Sequence, residues 1–268
     1  MIDAKRLRRA AAYLLLGLVL YVAFLLATAP AVWLAEAAAR FTNGLVSLVN
    51  PQGTLWHGRA ELYAGGRALG LRHLGTLQWR LNPLWLFLGR AKLDLDLNGA
   101  DTRAHGTIRT GLRRLNASEL LVTAPAHMVS LVYPAAVFFA PTGTIELRAP
   151  SLELSHDGLV TDADVRWQGA GGRFTGAAPL GDYRIELHGQ GDTAKIRLTT
   201  LGGRLALNGE GEWRVTGDGD LRFVGTAAPN SDAEQLEPLL RQLGRDVGGG
   251  RRELRFNAQL PIVRRMGY

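Results

Sequence analysis

The stretch RAKLDLDLNG, residues 90–99, sets Leu93, Leu95 and Leu97 against Lys92, Asp94 and Asp96. In an extended chain successive side chains point to opposite faces, so strict alternation gives one apolar face and one wet face. On a helix the same residues would be spread around the axis. The segment therefore reads as a strand of a sheet buried on one side. The period of two recurs downstream. DYRIELHG (182–189) alternates Tyr183, Ile185 and Leu187 with polar partners, and AKIRLTT (194–200), GRLALNG (203–209), EWRVTG (212–217) and DLRFVG (220–225) repeat the theme. The separators LNGAD (97–101), HGQGD (188–192) and VTGDGD (215–220) carry the Gly, Asn and Asp of tight hairpins. Consecutive hairpins make an antiparallel meander, and the fold class is mainly β. An open sheet, a sandwich and a barrel all satisfy this pattern.

Composition agrees. Of 268 residues 47% are hydrophobic and 21% charged, enough apolar material for a core, and 33 glycines against 11 prolines suit a protein with many turns. The absence of cysteine excludes disulfides, thiolate nucleophiles and Cys-ligated zinc.

Before the meander lies AAAYLLLGLVLYVAFLLATAP, residues 10–30, with no charge throughout. Twenty such residues make roughly 30 Å of helix, the thickness of a bilayer core. Lys5, Arg6, Arg8 and Arg9 precede it, which predicts a cytoplasmic tail over 1–9, a span over 10–30 and an exported body. Trp33 follows at the depth of the far interface. Leu14, Leu18, Tyr21 and Leu25 form one face of this anchor, with Gly17 allowing close approach of another helix. A cleaved signal peptide is the alternative, although its apolar region is usually shorter. Without residues 1–30 the body keeps 27 basic and 23 acidic residues, a net +4, scattered without a basic stripe. That argues against nucleic-acid binding.

Residues 31–49 read as a juxtamembrane helix, with Trp33, Ala37 and Phe41 at helical spacing and Gly44 as a breaker. Two further helices interrupt the strands, at 124–134 and 231–244. The second has Ser231 as N-cap, Glu234 three residues on, Gly244 as its stop and Pro238 inside. An internal repeat is suggested by three offsets: Gly53 to Gly143 (90), Trp79 to Trp167 (88) and Asp101-Thr102 to Asp192-Thr193 (91). It divides the body into units 50–142 and 143–268.

GTLWHGRAEL, residues 53–62, raises the question of chemistry. Read as a strand, Trp56, Gly58, Ala60 and Leu62 share an apolar face, where Gly58 leaves room beside the Trp56 indole, and Leu55, His57, Arg59 and Glu61 the other. Trp56 then reads as a core anchor, as do Trp79, Trp167 and Trp213, and His57 as a solvated residue. The six histidines show no HxH or HExxH spacing. Residues 94–99 match the start of an EF-hand loop, but position 12 is His105, not Glu. Asp94 and Asp96 stand about 7 Å apart on one strand face. That spacing suits a glycosidase pair, yet two acids on a wet strand face are far commoner. GxSxG, SxxK and P-loop motifs are absent. No catalytic residue, metal or cofactor is expected.

The basic start and single anchor, followed by GTLWHGRAEL and LQWRLNPLWLFLGRAKLDLDLNG (77–99), resemble the protein N family of the type II secretion system. Gly53, Thr54, Leu55, Trp56 and Gly58 fit its G-T-L-W-x-G turn. Trp79, Leu81, Pro83 and Leu86 fit its W-x-L-x-P-x-x-L segment, with Leu84 also nearby. The resemblance implies a non-enzymatic accessory protein of the Gram-negative inner membrane. Its periplasmic body would contact the inner-membrane platform proteins and the outer-membrane secretin. The motif residues carry structural roles in that resemblance. A different class, carriage of lipid or another hydrophobic ligand along an apolar groove, is the competing expectation.

Overall fold

The computed structural model describes residues 4–66, 70–86, 89–111, 114–133, 136–173 and 179–260. Helix α1 (Ala4–Ala27) and helix α2 (Val32–Phe41) lead into the body. The meander then runs as β1 (Val46–Gly53), β2 (His57–Gly66), β3 (Gly70–Leu81), β4 (Ala91–Asn98), β5 (Arg103–Thr110) and β6 (Arg114–Pro125). It continues as β7 (Thr142–Ser155), β8 (Gly158–Gly171), β9 (Gly181–Gly191), β10 (Thr193–Gly203), β11 (Leu205–Arg214) and β12 (Asp220–Pro229). These strands, with β13 (Arg245–Gly248) and β14 (Arg251–Gln259), form one antiparallel sheet of 14 strands in the order β1 to β12, β14, β13. Six strands precede each helical interruption. The first interruption is a 3-10 turn (Ala126–Met128) with α4 (Val129–Val132) and α5 (Ala136–Phe139); the second is α6 (Ala233–Leu243). A single turn, α3 (Pro83–Leu86), separates β3 from β4, with Pro83 at its first position, where a missing N–H costs nothing.

The sheet passes through residue 142 without a break, because β6 and β7 pair from Arg114↔Ser155 to Pro125↔Thr144. Its register lines up an apolar row that crosses strand after strand: Ala60, Leu77, Leu97, Ala104, Val122, Leu147, Val165, Ile185 and Leu198 stand directly opposite one another in turn. Directly opposed residues share a face, so the alternation read in each strand adds up to one apolar surface. Flat sheets place strands two apart at about 9.6 Å, twice the usual spacing. Strands β8 and β10, and likewise β9 and β11, come within 8 Å at their Cα atoms, so the sheet bends sharply there.

Helices cover the ends of the apolar face. Ala31, at the start of α2, packs with Ala60 and Trp79, joined by Leu34, Leu48, Leu93 and Leu95. Leu236 and Leu240 of α6 pack on Leu205 and Ala227. A third cluster joins Leu154, Leu159, Ala194, Trp213, Val215 and Leu221. Of the four predicted tryptophan anchors, Trp79 and Trp213 are buried. Trp56 and Trp167 are only partly buried.

Several boundaries differ from the sequence reading. The helix predicted over 31–49 ends at Phe41, and residues 46–49 are already strand. Asn43 and Gly44 adopt φ of 51° and 77°, and the Gly44 N–H returns to the Ala39 carbonyl, closing the helix before the β-branched Val46 and Val49. The cap of α6 is Asp232, not Ser231. Asp232 takes the left-handed conformation, and its carbonyl accepts the first helical N–H groups, while the Ser231 N–H is held by Arg204. Residues 54–56 are a turn, and β2 begins only at His57, which moves Trp56 off the strand face it was expected to share with Ala60.

Leu14, Leu18, Tyr21 and Leu25 are all exposed on α1, and the space beside Gly17 is open. Among the described residues no helix is long and apolar enough to cross a membrane. The side chains of residues 4–12, which include the basic start, lie outside the description.

Candidate functional site

The GTLWHG turn joins the N-terminal helices to the sheet. Gly53 turns with φ of 92°, and a Cβ there would meet the His57 carbonyl at 2.6 Å, so the position requires glycine. Thr54 closes the turn: its N–H donates to the His57 carbonyl at 2.9 Å, and its Oγ1 accepts the His57 N–H at 3.3 Å. With the turn fixed, its outer groups reach the chain before α2. The Leu55 N–H donates to the Ala29 carbonyl at 2.8 Å, the Ala31 N–H to Gly53 at 3.3 Å, and Pro30 bridges Thr54. The Trp56 indole N–H donates to the Leu26 carbonyl in the last turn of α1 at 2.7 Å. A helix C-terminus leaves its last carbonyls short of helical partners, and at Leu26 this indole joins the Ala29 N–H at 3.2 Å.

The same turn is held from the sheet side. The Trp79 indole N–H donates to the Leu55 carbonyl at 3.2 Å, and the Leu81 N–H to Trp56 at 2.6 Å. Gly58 makes this possible, since a Cβ there would stand 2.5 Å from Trp79 Cζ2. The indole beside Gly58 is therefore Trp79, across the β2–β3 pair, and not Trp56 as the sequence suggested. Gly53, Thr54, Leu55, Trp56, Gly58 and Trp79 thus meet in one clamp. Pro83 starts the turn that follows and makes no part of it. The carbonyl partners Leu26 and Ala29 had no sequence signal, because backbone acceptors are independent of residue type.

The polar face carries paired charges. Asp94 accepts from Thr107 at 2.7 Å and lies 3.8 Å from Lys92. Asp96 accepts from Asn98 and pairs with His105 at 3.2 Å, so the two carboxylates serve separate partners. Glu61 receives His73 at 2.5 Å and Thr76 at 3.1 Å, and these bonds hold its carboxyl below the usual range. Arg184 bonds Asp164, which raises the guanidinium pKa. Arg197 faces Glu210 at 3.1 Å in a directly opposed pair. His57 is exposed. Exposed pairs of this kind add little stability, but like charges placed opposite would oppose a slipped register. A trough of about 900 Å³ on this face is lined by five carboxylates and five Lys or Arg side chains, so it favours neither sign. Among the described residues no group of three or more His, Cys, Asp or Glu could hold a metal ion. Tyr183 is buried, donates to the Leu205 carbonyl at 2.9 Å, and has its pKa pushed up to about 12 by burial and then by Asp182.

A single long antiparallel sheet, clamped to an N-terminal helix through an indole and covered at its ends by short helices, defines a mainly β protein. A family model, that of type II secretion system protein N, matches residues 44–255, which take in nearly the whole sheet and the clamp. The chain belongs to the type II secretion system protein N family. Membership places its involvement in type II secretion and implies partners within that system. No curated protein and no solved structure matches the chain.

Proposed function

We propose that the protein is a non-enzymatic accessory scaffold of the type II secretion machine, held at the inner membrane by α1 with its sheet in the periplasm. The observation that carries this reading is the family match over residues 44–255, a range that includes the GTLWHG turn of the clamp. The exposed apolar side chains of α1, from Leu14 to Leu25, support its role as the anchor. The clamp then fixes the sheet relative to the membrane, so that its faces are offered to platform proteins and to the secretin. Deleting the gene in the native host should lower the abundance or assembly of platform proteins and reduce secretion. Unchanged assembly and secretion would contradict the reading.

One observation favours a second reading, carriage of a hydrophobic ligand. In the middle of the sheet the apolar row at Val122, Leu147, Val165, Ile185 and Leu198 is only half-buried, away from both helical covers. A carrier purified from native membranes should yield stoichiometric lipid by mass spectrometry, and a scaffold should not.

A further inference from the structure

The far end of β3 carries a feature that the clamp does not use. The β2–β3 register shifts between Leu62 and Tyr63, which leaves Leu74 as the extra residue of a bulge. Gly75 takes φ of 138°, where a Cβ would strike the Asn98 carbonyl at 2.4 Å. Bulges re-aim side chains, and this one brings Leu74 to the helical insertion after β6. Together with Met128, Leu131, Val137 and Pro141 it lines a pocket of about 160 Å³. Thr102, itself buried, donates to the Met128 sulfur at 3.7 Å and holds that wall. A cavity on the order of 150 Å³ accommodates one benzene ring.

Arg72 and His127 supply the polar part of the lining, with Arg72 Nη1 3.1 Å from His127 Nε2. A guanidinium can only donate, so His127 accepts at Nε2 and is neutral. Its pKa is lowered first by burial and then by Arg72. Next to the lining residues in sequence stand exposed apolar side chains: Tyr133 at 41%, Phe138 at 71% and Phe139 at 59%. Such a patch around a cavity is a mark of an interaction site. It lies nine residues along β3 from Leu81, roughly 25–30 Å at the strand rise, from the point where the clamp holds α1.

We propose that the insertion between β6 and β7 is a docking site for a segment of another protein, which buries one aromatic or leucine-sized side chain in the pocket and sets a neighbouring carboxylate on Arg72. The carboxylate follows from charge complementarity: Arg72 bonds a neutral imidazole and offers further N–H donors. The aromatic anchor follows from the pocket's volume and apolar walls, the arrangement of an interface hot spot. The site rests on the secretion-machine reading only for where its partner is sought.

The probe is 3-phenylpropionate, added to the full chain in nanodiscs and followed through the ¹³C-methyl signal of Met128. The expected result is a saturable shift, with binding about tenfold weaker for 3-phenylpropanol and for Arg72→Gln, as loss of a charge-assisted bond requires. Val137→Ser, which alters the wall and leaves Arg72 in place, should weaken acid and alcohol alike. No Met128 shift, or equal binding of acid and alcohol, overturns the proposal. In native cells a photo-crosslinker at Phe138 should trap a protein, with Arg72→Gln reducing the adduct several-fold. Adducts with lipid alone, or a yield indifferent to Arg72→Gln, overturn it. An Arg72-dependent adduct with a protein outside the secretion system keeps the docking site and sinks the scaffold reading instead.

Discussion

At the Leu81 end of β3 every reach of the GTLWHG turn finds its own chain: Leu26, Ala29 and Ala31 on one side, Trp79 and Leu81 on the other. At the Gly70 end the bulge at Leu74 leads to an insertion whose Phe138 and Phe139 face solvent, beside an arginine bonded to a neutral histidine. Both ends depend on glycines and on one or two aromatics. The difference is whether the aromatic groups are satisfied within the chain. The closed end belongs to architecture, and the open end is available to a partner.

The comparison can be broken most severely at Trp79. Trp79→Ala should cost about 3–5 kcal/mol in denaturant unfolding of the full chain, because it empties a buried site and removes the bond to Leu55. A loss below about 1 kcal/mol would mean that the closed end is not core. Next is Gly58→Ala, where a Cβ would stand 2.5 Å from Trp79 and 2.6 Å from the Gln52 carbonyl. It should cost about 1–3 kcal/mol, since one of the clashing atoms is backbone and cannot swing away. Trp56→Phe keeps a ring and loses only the donor to Leu26, so about 0.5–1.5 kcal/mol is expected. Faster hydrogen exchange should then be confined to the joint around Thr28–Ala31 and Leu55, with strands β7–β12 unchanged.

At the open end the expected effect comes through pH. The folded pKa of His127 lies below its ordinary 6.5, so the unfolded chain takes up the proton first. Stability is therefore undiminished above the unfolded value and falls as pH drops below it and through the folded pKa. Arg72 opposes and Asp101 favours the charged form. Unfolding curves across this range should flatten in His127→Gln, and an unchanged acid limb would remove His127 from the account. The smallest effect belongs to Asp94→Asn, an exchange on the wet face expected to stay within about 0.5 kcal/mol and to leave secretion intact. A lost activity would reopen the question of chemistry there.

The sequence showed most of the closed end and little of the open one. Leu93, Leu95 and Leu97 revealed their faces because nothing interrupts their period. Trp56 leaves the expected face because a strand period counted from Gly53 runs through the turn at 54–56, and β2 starts only at His57; a slip of that kind reassigns every side chain before it. Gly58 does leave space for an indole, but the indole belongs to the next strand, and only pairing shows which. The pocket lay beyond reach for a related reason. Arg72 and His127 are 55 positions apart. The bulge that turns Leu74 toward the insertion leaves no mark in composition, and residues 124–134 alone read as an ordinary short helix.

The continuity of the sheet across the middle of the chain is the claim on which the faces, the apolar row and the separation of the two ends all rest. The chain has no cysteine, so an introduced pair reports without background. Leu121 of β6 and Arg148 of β7 stand directly opposite on the exposed face. Opposed strand residues fall within the Cα range that a disulfide spans. Mild oxidation should therefore link Leu121→Cys to Arg148→Cys rapidly within one chain, and should leave Leu121→Cys with Leu147→Cys unlinked, since that partner points to the other face. Linking of both pairs alike, or of neither, would contradict a single sheet in this register.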